Sequence, residues 1–131
     1  MADTATGGKK VLVVEDDSLL QDMLAQQLSK DNWGVSYAKD GEKAIELARS
    51  EKPDIILLDL MLPGVSGYDI LAQLKKDPEL MRIPVIILSN LGQQEDMDKG
   101  LQLGAADFMI KSNFTLDEVS AKMKGLLEKG A

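Results

Sequence analysis

The sequence predicts a doubly wound α/β fold, five parallel strands each followed by a helix. Three observations carry the prediction. Short apolar runs rich in Val and Ile recur along the chain without polar–apolar alternation, as strands buried on both faces do. Segments with a helical period of apolar residues separate those runs. The connections are short, and strands joined through a helix lie parallel with right-handed crossovers.

Each element has its own signal. Residues 1–8 are small and polar and are expected to form a flexible leader, with the domain over residues 9–129. Val11-Leu12-Val13-Val14 is the first strand. Leu19, Leu20, Met23, Leu24, Gln27 and Leu28 mark the apolar face of the first helix. Val35-Ser36-Tyr37-Ala38 alternates, which fits an edge strand, and Trp33 before it is expected to be packing, away from the strands' carboxyl ends. Ala44, Ile45, Leu47 and Ala48 form the second helix, with Asp40 as its cap. Ile55-Ile56-Leu57-Leu58 is the third strand. Tyr68, Ile70, Leu71 and Leu74 form the third helix, capped by Ser66. Val85-Ile86-Ile87-Leu88 is the fourth strand, and residues near 93–103, with Met97 and Leu101, are a weaker, polar helix. Phe108-Met109-Ile110 is the last strand. Leu116, Val119, Met123, Leu126 and Leu127 form the last helix, opened by a capping box over Thr115-Leu116-Asp117-Glu118. The Met residues are expected to be core filler. Lys75, Lys76, Lys122 and Lys124 are expected on solvated faces.

Composition narrows the chemistry. The 131 residues include no Cys and no His, which excludes disulfides, thiolate or imidazole metal sites, and Ser–His–Asp catalysis. Net charge is −7, a poor balance for direct nucleic-acid binding. Apolar runs of about four residues fall far short of a membrane span, and residues 1–8 carry no signal-peptide core. A cytoplasmic location is expected.

The polar residues that close the strands are the informative ones. Glu15, Asp16 and Asp17 follow the first strand, Asp59 the third, Ser89 and Asn90 the fourth, and Lys111 the fifth. In a parallel sheet these ends share one edge, where ligands of open α/β sheets bind. Clustered carboxylates repel one another, and a divalent cation relieves the repulsion. Oxygen ligands without His or Cys suit Mg²⁺, or Mn²⁺. A hydroxyl and a lone ammonium suit phosphoryl oxygens, and a carboxylate with a free oxygen is a nucleophile for phosphorus. These residue types point to phosphoryl transfer onto Asp59. Asp17, next in line, is expected to serve the start of the first helix instead.

Four segments in order, VLVVEDDSLL, PDIILLDLMLPGVSGYDIL, IPVIILSN and GAADFMIKS, resemble the receiver domain of two-component response regulators over about residues 9–129. The resemblance implies a flavodoxin-like (βα)5 sheet of strand order 2-1-3-4-5. It implies Asp59 as phosphoacceptor. Asp16 would bind the metal directly, Glu15 through water, and the Met61 backbone carbonyl would be a further ligand. Ser89 would hold a phosphoryl oxygen and report it, Lys111 would pair with the phosphoryl group, and Phe108 would be an aromatic switch residue entering space that Ser89 vacates. It implies a histidine kinase or histidine phosphotransfer protein as donor. It also implies a downstream protein that reads the face of the fourth helix, fifth strand and fifth helix.

Departures are visible too. Ser112 follows Lys111 where the family usually has a cis proline, and Asn90 stands where a smaller residue is common. Met61 and Leu91, two residues beyond Asp59 and Ser89, offer an attacking water no hydrogen bond, so slow self-dephosphorylation is expected. Three other readings compete. An aspartyl phosphatase would carry a second acid two residues after Asp59, where Met61 stands. A nucleotide- or flavin-binding module would carry a glycine-rich loop after the first strand, where the loop here is acidic. A degenerate receiver would dock proteins without phosphorylation; the complete acidic and Lys positions oppose it.

Overall fold

Alternation along the strands sets the architecture, because successive side chains of a strand leave on opposite faces. The computed structural model describes residues 9–130; the expected leader, residues 1–8, lies outside the described residues. The elements run β1 (Lys10–Val14), α1 (Ser18–Lys30), β2 (Gly34–Ala38), α2 (Gly41–Glu51), β3 (Ile55–Leu58) and α3 (Gly67–Lys76). They continue with β4 (Val85–Ser89), α4 (Gln94–Gln102), β5 (Asp107–Ile110), a 3₁₀ turn at Lys111–Asn113, and α5 (Leu116–Gly130). The five strands are parallel in the order β2-β1-β3-β4-β5. The chain steps outward from β1 to β2, then back across to β3, so the switch point lies between β1 and β3.

Leu12, Val14, Ile56, Leu58 and Ile87 leave on one face and meet Ala44 and Ala48 of α2 and Ile70, Leu71 and Leu74 of α3. Val11, Val13, Ile55, Leu57 and Ile86 leave on the other and meet Leu24 and Leu28 of α1 and Val119 and Met123 of α5. The expected caps form. Asp17 accepts from the Leu19 and Leu20 N–H groups, Asp40 from Lys43 and Ser66 from Tyr68. Thr115 and Glu118 exchange the bonds of the capping box.

Several sequence expectations need correction. In α1, Leu19 and Met23 are 68% and 45% exposed, and the buried positions are Gln21, Leu24 and Leu28. The periodic face is rotated, because the stripe 21-24-28 is the one aimed at the sheet. Met23, Met61 and Met81 are exposed and Met97 is partly buried, so among the described residues only Met109 and Met123 are full core residues. Leu101 is exposed as well. Lys75 is only partly solvated. Its half-buried ammonium donates to the Met81 and Ile83 carbonyls, tying the α3–β4 connection, and burial lowers its pKa. Lys122 is exposed, as expected, and pairs with Asp107 at 3.0 Å; Lys124 is partly buried and lies 3.9 Å from Asp31. Trp33 is packing, as expected, but its indole N–H also donates to the buried Ser120 hydroxyl.

Candidate functional site

The carboxyl ends of β1, β3 and β5 bring Glu15, Asp16, Asp59 and Lys111 together. Oxygens of Glu15, Asp16 and Asp59 all lie within 4.8 Å of one another. Glu15 and Asp59 are buried and Asp16 is exposed, so the cluster opens to solvent on the Asp16 side. The site adjoins the switch point, since β1 and β3 are neighbours. Three carboxylates without imidazole or thiolate are a hard-oxygen donor set of the kind that takes a divalent cation.

Lys111 crosses the cluster. Its ammonium lies 2.8 Å from Glu15 Oε1 and 3.3 Å from Asp59 Oδ2. The other Glu15 oxygen accepts the Asp17 N–H at 3.1 Å. Burial pushes the Glu15 carboxyl above the usual carboxylate range, and the neighbouring Asp59 charge adds to that, against the pull of Lys111 and the Asp17 N–H. Burial alone would lower Lys111, but its bond to Glu15 and the charges of Asp59 and Glu15 outweigh it and raise its pKa. The ammonium therefore stays charged between two acids.

The loop after β3 shapes the remainder. The Met61 N–H donates to Asp59 Oδ1 at 3.3 Å, and Met61 bridges to Ser66 across a turn with Pro63 and Gly64. Gly64 sits at φ +80°, the left-handed region that favours glycine. The Met61 side chain is 62% exposed. At the end of β4, Ser89 is fully buried, and its hydroxyl accepts the Leu91 N–H at 3.2 Å. It makes no hydrogen bond to Asp59 or Lys111. Phe108 is buried in the layer facing α4, beside Ile87 and Gly100. Asn90 is exposed. The Lys111–Ser112 bond is trans and lies within the 3₁₀ turn Lys111–Asn113.

Sequence reasoning missed Gln21. It is buried under the acidic turn, and its amide nitrogen donates to the Glu15 backbone carbonyl. Its spacing of three and seven residues from Leu24 and Leu28 is the signal that could have found it.

Comparison with known proteins gives a consistent result. The family model of the response regulator receiver domain matches residues 11–124. The alkaline phosphatase synthesis transcriptional regulatory protein PhoP of Bacillus subtilis is 37% identical over 121 residues, 92% of this chain and 49% of that protein. The chain spans about half the length of the curated relatives it matches. Among solved structures, the Francisella response regulator 1452 receiver domain superposes with a TM-score of 0.87 at 30% identity, covering 95% of this chain and all of that one. The Mn²⁺-bound form of response regulator Rcp1 superposes with a TM-score of 0.75 at 28% identity, covering 90% of this chain and 91% of that one.

Proposed function

The chain belongs to the response regulator receiver family, and on that premise we propose that it is a phosphorylation switch with Asp59 as its acceptor. The observation that carries the reading is the convergence of Glu15, Asp16, Asp59 and Lys111 at one sheet edge. A carboxylate oxygen of Asp59 forms a bond to phosphorus as the donor's P–N bond breaks, the electron pair leaving on the donor's imidazole nitrogen. The donor is a histidine kinase or a histidine phosphotransfer protein. Asp16, Asp59 and the Met61 carbonyl would hold Mg²⁺, with Glu15 reaching it through water. When bound, the cation neutralises charge on the phosphoryl oxygens. Lys111, drawn off its two carboxylates, faces the phosphoryl group from the other side.

Ser89 and Phe108 relay the change. Ser89 gives up the Leu91 N–H and turns its hydroxyl to a phosphoryl oxygen. The Phe108 ring starts from a buried position against Gly100, so its part is a repacking under α4 rather than entry from solvent. The altered face is α4–β5–α5, read by a downstream protein, and the setting is cytoplasmic. Among the described residues, no helix is long and apolar enough to cross a membrane. Apolar Met61 and Leu91 leave an attacking water without a hydrogen-bond partner, which favours a long-lived phosphoryl group.

The test is intact-mass spectrometry after incubation with acetyl phosphate, with Mg²⁺ or with a chelator, on wild type and Asp59→Asn. The expected result is one metal-dependent phosphoryl adduct, absent in Asp59→Asn. An adduct that survives Asp59→Asn overturns the acceptor. No adduct from acetyl phosphate or from histidine kinases would favour docking without phosphorylation.

A further inference from the structure

Gln21 points into the acidic turn from α1, and none of the roles above uses it. The residue is 7% exposed, and its side-chain amide donates to the Glu15 backbone carbonyl. The Glu15 carbonyl and the Asp16 N–H belong to one planar peptide unit. A bond that holds the carbonyl therefore holds the plane on which Asp16 is mounted.

Asp16 depends on that plane more than its neighbours do. The Glu15 carboxylate is held by Lys111 and the Asp17 N–H, and that of Asp59 by Lys111 and the Met61 N–H. The exposed Asp16 carboxylate accepts no hydrogen bond among the described residues. On either side the turn is anchored, by the Glu15 N–H to the Ala38 carbonyl at 2.9 Å and by the Asp17 cap. Gln21 secures the middle. Mutual repulsion of the three carboxylates works to splay this turn. A neutral amide opposes that without adding a cation that would compete with a metal.

We infer that Gln21 is a positioning residue for the metal: its amide fixes the Glu15–Asp16 peptide so that the Asp16 carboxylate converges with that of Asp59. The inference rests on the metal-assisted phosphoryl transfer proposed above. Partners of this kind, acting one step behind a ligand, are worth about 10–100-fold in metal affinity.

Gln21→Met keeps the length and removes the donor. Gln21→Asn keeps the amide and shortens its reach. For the full chain, three quantities are measured: Mn²⁺ affinity, from the free-Mn²⁺ electron paramagnetic resonance signal; melting temperature in chelator; and the initial rate of phosphoryl uptake from acetyl phosphate at saturating Mn²⁺. Both variants are expected to bind Mn²⁺ about tenfold more weakly, with rates at saturating metal close to wild type. A merely structural Gln21 would lower the melting temperature in chelator and leave Mn²⁺ affinity unchanged, and that result overturns the inference. If Gln21→Met does not fold, Gln21→Asn decides. A wild type that neither binds Mn²⁺ nor gains a metal-dependent adduct defeats the proposed function and this inference together. A wild type that does both, with variants that match it, defeats the inference alone.

Discussion

Lys111 is the residue on which the electrostatics of the site turn. It lies between two buried acids as their counter-charge, and in the proposed mechanism it turns to the phosphoryl group. Lys111→Met leaves Glu15 and Asp59 facing each other without a counter-charge. Breaking a fully buried pair costs about 3–5 kcal/mol; this ammonium is partly exposed, so a loss of about 1–2 kcal/mol is expected in chelator by urea denaturation. With the competing cation gone, Mn²⁺ should bind more tightly, while phosphoryl uptake from acetyl phosphate falls by about 100-fold or more. Uptake that stays at the wild-type rate would remove Lys111 from the proposed mechanism.

Two elements are placed by contacts that small residues make possible. The start of α3 lies so close to the end of β3 that a Cβ on Gly67 would sit 2.3 Å from the Asp59 carbonyl oxygen and 2.6 Å from the Leu60 Cα. Both are backbone atoms and cannot turn aside. Gly67→Ala is expected to cost about 3 kcal/mol, at the upper end of overpacking, and to slow phosphoryl uptake because the displaced segment carries Asp59. A denaturation curve with a parallel rate measurement checks both. At the other end of the sheet, α1 and α5 are joined by a polar clamp. The Ser120 hydroxyl donates to Asp31 at 2.6 Å and accepts the Trp33 indole N–H at 3.2 Å. That hydroxyl is the largest influence holding the Asp31 carboxyl below the ordinary value of 3.8. A lowered carboxyl pKa contributes stability above 3.8, lost as pH falls through the folded-state value. Ser120→Ala should cost about 1 kcal/mol near neutral pH. The difference from wild type should shrink below pH 3.8, and a difference that stays flat through the acid limb would detach Asp31 from the clamp.

For the molecule as a whole, net charge is −7 and three acids meet at one edge. A cation bound there stabilises the folded chain by mass action. At ten times its Kd the gain is about 1.4 kcal/mol, or about 5 °C in melting temperature for a chain of this size. Asp16→Asn and Asp59→Asn should each reduce that shift strongly, while Asp17→Asn, at a helix cap, should leave it nearly intact. A melting temperature that ignores Mg²⁺ in the wild type would count against the metal. α1 and α5 share one face of the sheet and α2 and α3 the other.

The sequence alone determined the five strands, the order of helices between them, the caps of α1, α2, α3 and α5, and the edge at which the acids and Lys111 meet. Each of these follows from short-range pattern, strand alternation and the polarity of a parallel sheet, which sends all strand ends one way. Tertiary structure decided what depends on the rotation of an element and on distant partners. Leu19 and Met23 are exposed and Gln21 buried because packing fixed the angle of α1 to within one helical position. Lys75 found the carbonyls of the following loop, and Trp33 found Ser120, 87 residues away. Local periodicity carries no record of such a partner, since the contact exists only once the sheet has brought α1 and α5 onto the same face.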